Sequence, residues 1–169
     1  RNLRIPMKKY SREDQKLMAA WAADCAERVL IFFERDYPGD SRPREALKLC
    51  RRWIDTGHFS MAEIRGVALA AHAAARETEK NVTASYAARA AGQAVATAHV
   101  PQHAYGGAYY ALKAIAAADP ANAEAAVWAE YKWQSGELLK TLRKEMMQRI
   151  IIRKGTRGVM ITIDKTGDF

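Results

Sequence analysis

Long apolar runs, cysteine clusters and catalytic signatures are all missing from this chain of 169 residues. No stretch approaches the ~18 apolar residues of a membrane-crossing helix, so no helical span is expected. The start is basic and lacks an apolar h-region, so no secretory leader is expected; Met7 reads as the natural first residue, with residues 1–6 a remnant ahead of it. There are only two cysteines, Cys25 and Cys50, and both sit in phase with apolar neighbours. That suits buried thiols rather than a disulfide framework, and it points to a reducing, cytoplasmic setting. Aromatic residues are scarce at 9%. No Ser-His-Asp order, Cys-His dyad with a helper, HExxH zinc pattern or paired-carboxylate signature stands out. Catalysis is therefore disfavoured, though not excluded, because triads assemble across a fold. No cofactor is expected.

Alanine is abundant, at about a fifth of the chain. With few aromatics, that composition favours helices. The length suits one domain with a real core. The formal net charge is +8, but it is unevenly spread: residues 1–12 carry +5 and residues 140–169 another +5, leaving −2 for the body between them. A dedicated nucleic-acid module carries its basic patch on the folded scaffold. Basic ends support at most weak, non-specific nucleic-acid binding, which stays as a secondary alternative.

The pattern predicts an all-α bundle of about six helices over residues 11–150. A basic N-terminal segment (1–10) precedes it, and a basic extension (151–169) that can hold a short strand follows. Ser11 is placed to cap a first helix carrying Leu17, Trp21, Cys25, Val29, Phe32 and Phe33 on one stripe. A second helix opens at Asp40 or Ser41, buries Ala46, Leu47, Cys50, Trp53 and Ile54, and closes at Gly57. Ser60 and Glu63 form a capping box for a third helix running to about Lys80. The fourth, about Thr83 to Ala98, holds Gly92 mid-helix, which costs ~1 kcal/mol against alanine and implies a close helix crossing. The fifth runs from about Pro101 to Ala118. Asp119-Pro120 restarts a long sixth that reaches Ile150 and bends at Gly136. The β-branched run Val159–Ile163 reads as one strand without an evident partner in the chain.

Three of the four histidines fall in the Ala/Gly-rich stretch 68–111. Pro101 places His99 at the end of one helix and His103 in the first turn of the next. A helix C-terminus favours the charged ring and an N-terminus the neutral one, so the two are expected to titrate apart. They are weak metal candidates, since no acid or cysteine stands at ligand spacing. The other reading is that each ring satisfies loose backbone groups at a tight corner. His72 and Arg76, an i,i+4 pair, join that corner if their helix crosses the next near Gly92; otherwise they form a polar seam in which Arg76 pairs with an acid. Arg89, in its alanine field, reads as an anion ligand or a snorkelling surface residue. Tyr105-Gly-Gly-Ala-Tyr109-Tyr110 lacks the Lys-Ser/Thr of a P-loop and reads as close packing. Trp128, Tyr131 and Trp133 cannot all face one way, so Trp128 or Trp133 is a candidate partner anchor.

Five segments carry a family resemblance. They are Cys25-Ala-Glu-Arg-Val-Leu30, Tyr37-Pro-Gly-Asp-Ser-Arg-Pro-Arg-Glu-Ala46, Arg52-Trp53, Ala70-Ala-His-Ala-Ala-Ala-Arg-Glu77, and Ala90-Ala-Gly-Gln-Ala-Val-Ala-Thr-Ala-His-Val-Pro-Gln-His-Ala104. In this order, over about residues 15–118, the chain resembles the bacterial putative immunity protein family associated with polymorphic toxin systems. The resemblance implies an all-helical protein without assigned catalytic residues that binds a protein toxin. The leading expectation is thus a non-enzymatic binding module. The alternative is a small helical ligand- or metal-binding protein or enzyme built on His72, His99 and His103. No membrane partner is expected, and self-association stays open. A nuclease toxin would call for an acidic surface; a body of about −2 does not support a strong nuclease mimic, which leaves a different toxin class or a local acidic face around Asp55, Glu124 and Glu130.

Overall fold

The structure, a computed structural model, describes residues 6–169; Arg1 and Arg4 of the basic N-terminal segment lie outside the described residues. Seven helices precede a β-hairpin: α1 (Arg12–Asp36), α2 (Arg42–Thr56), α3 (Met61–Glu77), α4 (Val82–Ala96), α5 (His103–Ala118), α6 (Ala123–Glu137) and α7 (Lys140–Met147), then β1 (Ile150–Gly155) and β2 (Gly158–Ile163).

The ends of the helices follow their local chemistry. Ser11 Oγ accepts from Asp14 N–H and Ser60 Oγ from Glu63 N–H, so both expected caps form. The capping box at α3 is only half made, because the Glu63 carboxylate turns to Arg52. Ser41 occupies the N-cap of α2 without a side-chain bond; Asp40 does the work, accepting from the Arg42 N–H and its guanidinium. Gly57 ends α2 at φ +70°, the left-handed conformation that glycine adopts without penalty.

Helix α4 is the axis of the fold. It packs on α1, α2, α3 and α5. Apart from one polar stripe, Ser85, Arg89 and Gln93, its circumference is largely apolar, and Ala84, Ala87, Ala88, Ala90, Ala91 and Ala94 are all fully buried. Alanine makes this arrangement feasible, because four neighbours can approach one helix only if its side chains are short. Glycine serves the same end at α1/α5, where a Cβ on Gly107 would stand 3.1 Å from that of Ala22. Larger side chains of the flanking helices, including Met18, Leu30, Phe33, Trp53 and Leu112, complete the core.

Two expectations are corrected. The long sixth helix is two helices, so the bundle has seven. Leu138 is extended (φ −80°, ψ 139°) and buried, and the break lies there rather than at Gly136. The carbonyls released by it find other donors: the Trp21 indole N–H donates to Gln134 O (2.8 Å) and Arg143 to Leu138 O (2.9 Å). The β-branched run is also not alone. It pairs antiparallel with Ile150–Gly155, in the register Ile150↔Ile163 and Ile152↔Ile161, and β2 lies against α5 and α6. From sequence, Ile150 reads as the end of the sixth helix and residues 151–155 as plain extension, which hides the partner strand. Smaller shifts are that α3 stops at Glu77, α5 starts at His103, and a 3-10 turn, Pro120–Asn122, precedes α6.

The two ends of the described chain are tied together. Lys8 N–H donates to Phe169 O (2.7 Å), and the Gln102 side-chain amide donates to both Lys8 O and Phe169 O. Lys8 and Tyr10 both donate to the Glu145 carboxylate on α7. Arg149 holds the tail through the carbonyls of Asp164, Thr166 and Asp168, with its guanidinium over the Phe169 ring.

Candidate functional site

The corner expected between α4 and α5 exists, and its geometry separates the histidines. His99 is exposed in the turn after α4, and His103 is the first residue of α5. No hydrogen bond joins them. His103 Nδ1 instead lies 2.8 Å from Gln93 Oε1. Gln93 reaches it by lying across Gly106; a Cβ at 106 would come within 2.6 Å of that same oxygen. The pair Gln93–Gly106 therefore sets the orientation of the imidazole, leaving Nε2 as its other polar atom. Burial holds the His103 pKa below its ordinary value, with the nearby charges of His99 and Lys165 adding to the effect, which favours the neutral ring.

His72, on α3, packs against the neighbouring residue of α4. A Cβ on Gly92 would stand 2.9 Å from both Cε1 and Nε2 of the ring. Gly92 thus accommodates an imidazole, the specific form taken by the expected close crossing. His72 Nδ1 is buried without a partner. Its pKa is lowered first by burial, then by Arg89, Arg76 and His103. Arg76 is exposed and Arg89 half-buried. The acid beside Arg76, Glu77, is bonded to Arg42 instead. Among the described residues no group of three or more His, Cys, Asp or Glu side chains is placed to hold a metal ion.

In front of His103 lies an open cleft of about 460 Å³. Gln93, His103, Tyr105, Tyr109 and Tyr110 form one side; Ile163, Lys165 and Phe169 from the tail form another. The Tyr105 and Phe169 rings meet at 5.1 Å. Burial pushes the Tyr105 phenol up to about 12; its hydroxyl lies near that of Tyr10 without a well-formed hydrogen bond. Gln93 and Lys165 carry much of this geometry and are not singled out as site residues from the sequence; Gly106 reads there only as part of a closely packed segment. Gln93 did leave a signal, as the one amide in an alanine-glycine run ten residues before His103. Lys165 left none, because its position depends on the hairpin.

The two candidate anchors, Trp128 and Trp133, differ. Trp133 lies under the Arg28 guanidinium, 4.0 Å from its centre, and Arg28 in turn makes a two-pronged bond to the buried Glu130 carboxylate. Trp128 is 46% exposed and held edge-on by Tyr131, whose hydroxyl donates to Met147 O. Glu130 is therefore not part of an acidic surface. Glu124 faces Lys154 at 3.5 Å, and Asp55 stands apart on α2.

Residues 8–141 match the family model described as Imm-5 like putative immunity protein. The chain belongs to this family. No curated protein and no solved structure matches it. The Imm-5 like region runs from Lys8 to the start of α7, and so contains Gln93, His72, His99, His103 and both tryptophans. The hairpin, Arg149 and the tail wall of the cleft lie beyond it. No described helix is long and apolar enough to cross a membrane.

Proposed function

We propose that this chain is a non-enzymatic binding module that neutralises a bacterial protein toxin by occupying part of its surface. The observation that carries this reading is the family match over residues 8–141, which spans nearly the whole helical body. The physical character of that body is in keeping with it. Its core is closely packed, and a rigid surface loses little entropy on docking. Trp128 gives that surface a fixed, half-exposed aromatic, the kind of side chain on which interfaces concentrate their energy. Free, buried thiols at Cys25 and Cys50 suit a reducing compartment.

The charge pattern narrows the toxin class. Many acids of the body are matched by arginines: Arg42 with Asp40 and Glu77, Arg44 with Glu27 and Glu34, Arg51 with Asp24. Such a mixed surface does not imitate nucleic acid, so the proposed target is a toxin other than a nuclease inhibited by acidic mimicry.

The test has two stages. The immobilised chain captures a protein from lysate of its source organism, with Trp128→Ala as the comparison. The captured protein is then expressed with and without this chain. Growth restored by the wild type, and not by the variant, supports neutralisation. A captured protein that is harmless, or whose toxicity is unaffected, counts against it.

A further inference from the structure

The cleft before His103 has a composition that the immunity reading does not use. Its cation is Lys165, which makes no ion pair among the described residues, and no Asp or Glu side chain lines it. Its hydroxyls, on Tyr109 and Tyr110, make no hydrogen bond within the protein among the described residues. Its Gln93 amide is held by one bond to His103, which orients it. Phe169 and Ile163 on one side and the tyrosine rings on the other supply apolar walls. The volume, about 460 Å³, lies in the range of small-ligand sites.

A site with a free ammonium, several neutral hydrogen-bond donors, aromatic walls and no carboxylate side chain selects for one chemistry. We propose that this cleft binds a carboxylate carried on an aromatic body, with Lys165 taking the charge and Tyr109, Tyr110 and Phe169 enclosing the ring. The ammonium–carboxylate contact is charge-assisted. The ring gains from burial against aromatic faces. Gly106 is a positioning residue: only without a side chain there does Gln93 reach His103 and leave the floor open. Two sources present this chemistry, a free aromatic acid and the C-terminal phenylalanine of a protein.

The proposal is tested on the full chain by amide-resolved NMR titration with four probes. These are 3-phenylpropionate, its primary amide, acetyl-Ala-Ala-Phe with a free carboxylate, and the same peptide amidated. Saturable shifts are expected at Gly106, Tyr109 and Lys165 for the acids, with the amides weaker by about tenfold. Tighter binding of phenylpropionate identifies a free metabolite-like acid as the source; tighter binding of the peptide identifies a protein end. Lys165→Ala, at an exposed tail position, is expected to remove the preference for acids while leaving the spectrum folded. No saturable shift with either acid overturns the proposal, as does equal binding of acids and amides, or an unchanged preference in Lys165→Ala. These outcomes are independent of toxin capture, so failure of one reading leaves the other standing.

Discussion

Gly92 on α4 faces the edge of the His72 ring on α3, leaving no room for even one methyl group: a Cβ would lie 2.9 Å from two ring atoms. Alanine at 92 would gain helix propensity of ~1 kcal/mol. Overpacking a filled interior costs about 1–3 kcal/mol, and the half-buried imidazole must leave its packed position to make room. Gly92→Ala is therefore expected to destabilise the protein. The double variant Gly92→Ala/His72→Ala should recover most of that loss. A urea-denaturation cycle measures it, and a coupling energy of about 1 kcal/mol or more is expected. Strict additivity would show that the two residues do not share this space.

Acid should unfold the protein through the same corner. His72 and His103 both have pKa values lowered by burial, so the folded state binds fewer protons than the unfolded state. Stability then rises with pH. It is complete above the ordinary histidine value of ~6.5, declines as pH falls below it, and levels off once the folded-state values are passed. His72→Gln should flatten the dependence between pH 7 and 5. Denaturant midpoints across that window check it; a slope equal to that of the wild type would place the proton uptake elsewhere.

The surroundings of Trp128 and Trp133 should differ in what they contribute to stability. Trp128→Ala removes a half-exposed ring and should change stability by less than ~1 kcal/mol. Arg28→Ala strips the guanidinium from the buried Glu130 and from the Trp133 face. The pair is part-exposed, between the small value of surface bridges and the larger cost of breaking buried ones, so a loss of about 2 kcal/mol is expected. Thermal melts of the two variants decide it, and equal shifts would contradict the assigned environments.

Both thiols should be silent in the native state. Burial raises Cys25 well above the usual thiol range and Cys50 to about 12, and neither has solvent exposure. Labelling by an alkylating reagent should be at least ~100-fold slower than for the urea-unfolded chain. Rapid native labelling of either cysteine would show that α1 or α2 opens locally.

Much of the helical plan could be read from local signals, since Ser11, Gly57 and Ser60 act where their chemistry predicts. The long-range features could not. Continuity of α6 into α7 looked sound by periodicity, but Trp21, more than a hundred residues away, takes the carbonyl that a continuous helix would keep. The run Ile150–Ile152 is apolar enough to pass as a helix end, and only pairing with Ile161–Ile163 makes it a strand. At the site, the histidines were visible as polar residues in an alanine field. What orients them was not: Gln93 needs the vacancy at Gly106, and Lys165 arrives through the hairpin.

The bond between Lys8 and Phe169 sets an order of events during synthesis. The helical body can assemble as its helices emerge, because α4 meets its earlier partners as soon as it is made. The wall of the cleft cannot. It waits for Phe169 to leave the ribosome, reach back across the body and find Lys8. A nascent or tail-clipped chain would therefore carry the Imm-5 like body with an unfinished pocket.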